Sequence, residues 1–231
     1  RIGQDQLDVR RLLGEALRGR RDEEALKAAE YIAYHFQQAG LRPLFADEFL
    51  QPILGTARQT SAGPVRRVIG HNVGAWVEGS DPELRDEFVM ITAHFDHLGM
   101  SGGELHPGAD DNASGVSMML ETARAVAGMP VKPKRSIVFV GFDLEEQLLW
   151  GSRWFTAHPP RELEQVKLFI TADMIGRSLG GLPLPTVFVL GSERSPALRQ
   201  VLEQVECPPE LEMLRLGADL RVSDRNVVIR G

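Results

Sequence analysis

The 231-residue chain is 43% hydrophobic and 25% charged, an ordinary globular composition and enough length for an α/β domain with a substantial core. A formal net charge of −6 argues against a nucleic-acid partner, which would want a basic face. One cysteine, Cys207, excludes an internal disulfide, a zinc ribbon and a CxxC site, and no apolar run is long enough to span a bilayer.

Taken in order, residues 5–18 and 23–39 carry helical periodicity. In the second, Leu26, Ala29, Ile32, Ala33 and Phe36 share a face, and Gly40 is a natural stop. Residues 41–54 read as extended, 59–63 as a polar loop, 67–77 as a strand and 79–85 as a turn. Phe88 to Ala93 is a short apolar run suited to a buried strand. Residues 100–107 read as a glycine-rich loop, 113–129 as a helix and 135–142 as a second buried strand. A helix follows over 149–158, stopped by Pro159 and Pro160, then strands at 167–174 and 186–190. Pro196 opens a further helix over 195–205, residues 211–231 give no firm pattern, and there is no internal repeat.

Strands alternating with helices predict an α/β sheet covered on both faces. Ligands of such sheets gather beyond the carboxyl ends of the parallel strands. Four clusters of chemically active residues follow apolar segments and are expected to converge there. His94 and Asp96 are the first: histidine and carboxylate suit zinc and its first-row relatives, and a ligating imidazole needs a partner on its other nitrogen. Taken alone, His-x-Asp also fits an ordinary polar strand end. Asp110 and Asp111 precede the helix at Ala113, where an acid or Asn112 could simply cap it. One of the two acids as a bridging ligand, with its neighbour supporting the loop, is the functional alternative. Glu145 and Glu146 are adjacent acids that repel unless a cation lies nearby; in metal-assisted hydrolysis one ligates and the other moves a proton. Asp173, after Phe169 to Ala172, is the fourth.

The strings AHFDHLG, GADDNASG, FDLEEQLLWGS and DMIGR resemble the co-catalytic zinc exopeptidases typified by bacterial leucyl aminopeptidases. Glutamate carboxypeptidase II, the transferrin receptor and glutaminyl cyclase are more distant kin. The resemblance covers most of the chain and is most specific from His94 to Arg177. It implies a single α/β domain of three layers over residues 1–231: N-terminal helices and an extended lead-in to residue 66, then a metal-binding core around a mixed, mainly parallel sheet. It also implies two zinc ions. His94 and Asp173 would hold one, Glu146 the other, and Asp111 would bridge them. Glu145 would be the catalytic acid–base, and Asp96 would support His94 as the second member of the catalytic set.

This chain departs from the family pattern in three places. The pattern has a further histidine ligand near its C-terminal end, whereas the last histidine here is His158, so the resemblance implies a domain that runs beyond Gly231. Leu148 stands where a glycine is common after the paired glutamates, and Thr171-Ala172 replaces the usual lead-in to Asp173. His97 and His106 read as surface residues near the cleft, Trp150 and Trp154 as core, and the Asn112-Ala113-Ser114 sequon as coincidence.

The expectation is a zinc-dependent exopeptidase acting on peptides, most simply an aminopeptidase. The rivals are a carboxypeptidase or dipeptidase, a glutaminyl cyclase, and a non-catalytic receptor or interaction domain on the same scaffold. Family habit implies export, with the signal removed.

Overall fold

A computed structural model describes residues 21–60, 63–178, 186–192, 195–206, 212–215, 221–223 and 226–228. The expected helix over 5–18 and Cys207 lie outside them. Contacts divide the chain into two compact units, Arg1–Met174 and Ile175–Gly231.

The first unit begins with helix α1 (Arg21–Gln38). Its stop is the expected Gly40, at φ +78°, with Gly40 N–H donating to Gln37 and Leu41 N–H to Phe36. The left-handed residue lets the chain turn back and satisfy carbonyls that the helix end would orphan. Strands β1 (Arg42–Pro43), β2 (Leu50–Thr60) and β3 (Gly63–Val77) follow. Residues 59–63, expected as a polar loop, extend the β2–β3 ladder to the Thr60–Gly63 pair instead. The period-two signal fails here because Val65, Arg66, Arg67 and Val68 are all exposed, so no buried face marks the strand.

Strand β4 (Phe88–His94) is followed by a small hairpin of β5 (Gly99–Ser101) and β6 (Glu104–His106). The sequence reads this segment as loop. Gly102 and Gly103 both adopt positive φ at its turn, the geometry a tight hairpin demands, and three-residue strands are too short to show periodicity. Helix α2 (Ala113–Gly128), strand β7 (Ser136–Phe142), helix α3 (Trp150–Ala157) and strand β8 (Val166–Thr171) complete the unit.

The sheet order is β1-β3-β7-β4-β8, with β2 also paired to β3. It is mixed, and its parallel part is β7, β4 and β8; the N-terminal strands pair antiparallel. Every residue of β7 is buried, as an apolar run without alternation predicts. One face of the sheet packs on α1 and α2, where Ile32, Phe36, Val116 and Met119 meet Val73, Ile137 and Phe139. On the other, Phe155 of α3 joins Leu44, Met90, Val138, Val140 and Phe142. Helices thus cover both faces. Trp150 is exposed and Trp154 stacks on His158 at 3.9 Å, so the tryptophans expected in the core are at its edge.

In the second unit β9 (Thr186–Val189) pairs in parallel with β10 (Glu212–Arg215), with α4 (Pro196–Glu203) between them in sequence. Ser195 caps α4 by accepting the Leu198 N–H, and Pro196 occupies its first turn. Strands β11 (Arg221–Ser223) and β12 (Asn226–Val228) form an antiparallel pair. No helix among the described residues is long and apolar enough to cross a membrane.

Candidate metal centre

Because β7, β4 and β8 are parallel, their carboxyl ends open on one edge of the first unit. Phe95 N–H donates to Phe142, and Ala172 N–H to Thr92, so the three strand ends are tied together. His94 closes β4 with its side chain only 6% exposed. Its Nδ1 lies 3.1 Å from the Asp96 carbonyl and 3.7 Å from the Asp96 carboxylate. That contact turns Nε2 toward Asp111 Oδ1, 3.2 Å away, and Asp173 Oδ1, 3.4 Å away.

Asp111 and Asp173 come from different loops, and Asn112 joins them. Its Oδ1 accepts the N–H of Gly115, capping α2, and that of Met174; its Nδ2 donates to the Ala172 carbonyl. The side chain is fully buried, so the capping role that the sequence allows it is only part of its work. The flanking glycines have steric reasons. A Cβ on Gly115 would lie 2.5 Å from the Ala172 carbonyl, and one on Gly108 would lie 2.7 Å from the Asp111 carbonyl at φ +63°.

Glu145 and Glu146 leave β7 through a tight turn. Asp143, the other acid of that string, points away: it is buried and accepts the N–H groups of His71 and Leu144. Leu144, Leu148 and Leu149 hold positive φ, and Leu149 N–H donates to Glu145 while Trp150 N–H donates to Leu144. Asp96 completes the turn from outside, its two carboxylate oxygens accepting Glu145 N–H at 2.9 Å and Glu146 N–H at 3.2 Å.

Two groups of ligand atoms result, His94–Asp111–Asp173 and His97–Asp111–Glu146, each within 4.8 Å. Asp111 serves both, Oδ1 facing His94 and Oδ2 lying 3.7 Å from His97 Nδ1. Four-coordinate zinc with ordinary bond lengths places its ligand atoms about 3.3–3.6 Å apart. The contacts from His94, at 3.2 and 3.4 Å, are close to that spacing. Charge agrees. Five carboxylates (Asp96, Asp111, Glu145, Glu146 and Asp173) face two imidazoles, so three negative charges stay unbalanced even with both rings protonated. Among the described residues their ion pairs run only to those two histidines. Imidazole and carboxylate donors with this excess of charge fit first-row divalent ions.

The same field acts on protons. Burial opposes a charge on His94, but the Asp96 carboxylate and the charges of Glu145 and Asp173 outweigh it and push the imidazole up to about 9. Burial raises the Glu145 carboxyl above its usual range; His94 pulls it back, and Asp96, Glu146 and Asp173 raise it further.

The structure therefore brings His94, Asp96, Asp111, Glu145, Glu146 and Asp173 to one edge. It adds His97, which the sequence reading leaves at the surface. His97 is largely buried, and its Nδ1 lies 2.7 Å from Glu146 Oε1. It sits in an irregular loop where no periodicity assigns it a side; the available signal is Gly108, whose missing Cβ would press on the His97 ring. His106 stays half-exposed, its ring centroid 6.4 Å from that of His97.

A parallel-strand edge carrying two carboxylate-linked ligand groups defines the class of metal-site α/β folds. The chain belongs to peptidase family M28, whose model matches residues 72–210. Aminopeptidase YwaD of Bacillus subtilis is 38% identical over 93 residues, 40% of this chain and 19% of the relative. Leupeptin-inactivating enzyme 1 of Streptomyces exfoliatus is 30% identical over 148 residues, 62% of this chain and 30% of the relative. The chain thus spans less than a third of the length of either. Among solved structures, LapB from Legionella pneumophila matches with a TM-score of 0.60 at 21% identity, covering 93% of this chain and 54% of that one. A leucine aminopeptidase precursor from Bacteroides thetaiotaomicron matches with a TM-score of 0.59 at 18% identity, covering 84% and 68%. These two likenesses show the fold.

Proposed function

We propose that the protein is a zinc-dependent aminopeptidase. The observation that carries this reading is Asp111 standing between two ligand groups with Glu145 beside them, in a chain of the M28 peptidase family. Support comes from the aminopeptidase activity that the name of its Bacillus subtilis relative states. His94, Asp111 and Asp173 would hold one zinc, and Glu146 with Asp111 the other. Zinc bound there supplies a Lewis acid for the scissile carbonyl and lowers the pKa of water.

The protein's own groups supply the rest. Glu145, whose proton affinity burial and its anionic neighbours raise, takes a proton from the attacking water and delivers it to the leaving amine. Asp96 fixes the turn that aims Glu145 and Glu146, and orients His94. Two divalent ions offset four of the five carboxylate charges, and the one that remains attracts the free α-ammonium group of a peptide, which favours cleavage at the N-terminus over the C-terminus.

The test is hydrolysis of a panel of aminoacyl p-nitroanilides and their N-acetylated forms by zinc-loaded protein. Release from the free amines alone is expected. Equal release from the acetylated forms, or none from any, would overturn the reading.

A further inference from the structure

The sheet ends unevenly beside the metal centre. Strand β3 pairs with β7 from Val73 to Val77, with Val73 opposite Gly141. Phe142, the next residue of β7, pairs with His94 of β4, so the same register sets Asn72 level with His94. Residues 63–71 of β3 therefore run past that level on the metal edge, and β2 accompanies them as far as Thr60. The β2–β3 hairpin is an arm beyond the sheet, longer by about 3.3 Å with each residue. The turn of Glu145 and Glu146 lies against its base. Asp143 Oδ2 accepts the His71 N–H at 2.9 Å, and a Cβ on Gly70 would lie 2.6 Å from the same oxygen.

Past His71 the edge of β3 on the β7 side is open. The Asp143 carboxylate stands in for a neighbouring strand at one residue, and among the described residues only β2, on the opposite edge, pairs with 65–68. Backbone N–H and carbonyl groups without a strand partner are a template for an added strand. The register slips at Ile69, whose side chain fills the space that Gly55 leaves, and such bulges bend strands beside active sites. Val65, Arg66, Arg67 and Val68 are all exposed, and among the described residues neither arginine forms an ion pair. We propose that this arm docks the part of a peptide substrate that follows the cleaved bond. The peptide is held as an added strand on the free edge of β3, its C-terminal carboxylate toward Arg66 and Arg67. The inference rests on the aminopeptidase reading above and gives it a substrate length.

Charge and reach both fit a short peptide with free ends. The acidic centre draws the α-ammonium group, and the two arginines offer the opposite charge where the other end emerges. Arg67 and Arg66 lie four and five residues before His71, about 13–17 Å away at strand spacing. An extended peptide covers that distance with about four or five residues beyond the cleaved bond. Arginines on an open edge can also serve only to repel other chains. Such a guard would leave long and short peptides equal, so length dependence separates the two roles.

The test is the rate of first-residue release by zinc-loaded protein from a series of peptides, from the dipeptide to about eight residues. Each begins with the residue whose p-nitroanilide is cleaved best and continues in alanine. Between the dipeptide and peptides of about five or six residues, kcat/KM should rise about three- to tenfold, the range of a charge-assisted contact at an exposed site. Amidating the C-terminus should remove that gain. Arg66→Glu/Arg67→Glu should abolish the length dependence and leave p-nitroanilide hydrolysis at the wild-type rate, which reports an intact fold and centre. With wild type, methylating successive backbone nitrogens beyond the second residue should cost rate at alternate positions, because every other N–H of an added strand faces β3. A rate that is flat with length, or a gain that survives amidation or the charge reversal, would overturn docking on the arm and leave the aminopeptidase reading standing. An equal effect at every methylated position would do the same. No release from any peptide or p-nitroanilide would overturn both.

Discussion

The Asp96 carboxylate accepts the backbone N–H of Glu145 at 2.9 Å, tying the end of β4 to the turn that leaves β7. Its second oxygen holds Glu146 in the same way, and its first lies 3.7 Å from His94 Nδ1. One part-buried acid thereby orients a histidine ligand and the paired glutamates together. Asp96→Ala frees all three. Zinc affinity should fall about 10–100-fold, as it does when an outer partner of a ligand is removed. Competition with a chromogenic chelator measures it, and an unchanged affinity would remove Asp96 from this role.

Glu145 is the acid expected to move protons rather than bind zinc. Glu145→Gln preserves shape and hydrogen bonding at the turn, since Asp96 holds the backbone and not the side chain. Zinc content should stay at the wild-type value while turnover falls by about 10²–10⁴. Turnover within a factor of about two of wild type would assign the proton transfer elsewhere.

Asn112 makes three hydrogen bonds from a fully buried side chain and joins the loops of Asp111 and Asp173. Asn112→Ala leaves the buried Gly115 N–H, the part-buried Met174 N–H and the Ala172 carbonyl to find other partners. The expected cost is about 2–4 kcal/mol, read from the urea midpoint in chelator. A loss below about 1 kcal/mol would mean that the loops hold themselves.

Leu148 occupies a left-handed conformation at φ +61° with its side chain 78% exposed. It gives up little burial there and carries the steric cost of a Cβ at positive φ. Leu148→Gly should raise stability by about 1 kcal/mol with zinc binding unchanged. A lower melting temperature would show that the leucine makes compensating contacts.

The His94 imidazole titrates near 9, above its ordinary 6.5. A raised value means that the folded state holds the proton more tightly than the unfolded one. In ion-free protein that stabilisation, on the order of 3 kcal/mol, is complete below 6.5 and lost as pH rises through about 9. Zinc competes for the same nitrogen, so its affinity should climb with pH through that window and its uptake should release a proton. Urea midpoints in chelator on both sides of the window check the first, and calorimetry in buffers of different ionisation enthalpy the second. A flat midpoint would show that His94 is already neutral in the ion-free protein.

The sequence reveals most of what long apolar segments determine. The buried strands β4 and β7, the helices α1 and α2, and their stops at Gly40 and Gly128 are legible because burial imposes a period or an unbroken run. The convergence of His94, Asp111, Glu145, Glu146 and Asp173 follows from a strand-end rule that needs no coordinates. Short-range geometry is not legible. The β5–β6 hairpin has strands too short to show alternation, and the outer part of β3 is exposed. His97 lies in a loop where neighbouring residues face opposite ways. Its partner, Glu146, is 49 positions away and becomes its neighbour only through the β4–β7 pairing.

Zinc counted per chain, in wild type and in Asp111→Ala, tests the central claim most directly. Asp111 offers one oxygen to each ligand group, so both positions depend on it. Elemental analysis after equilibration with zinc and removal of the excess should give two ions per wild-type chain and fewer than one in the variant. A wild type that holds no zinc, or a variant that still holds two, would contradict a centre built around a shared Asp111.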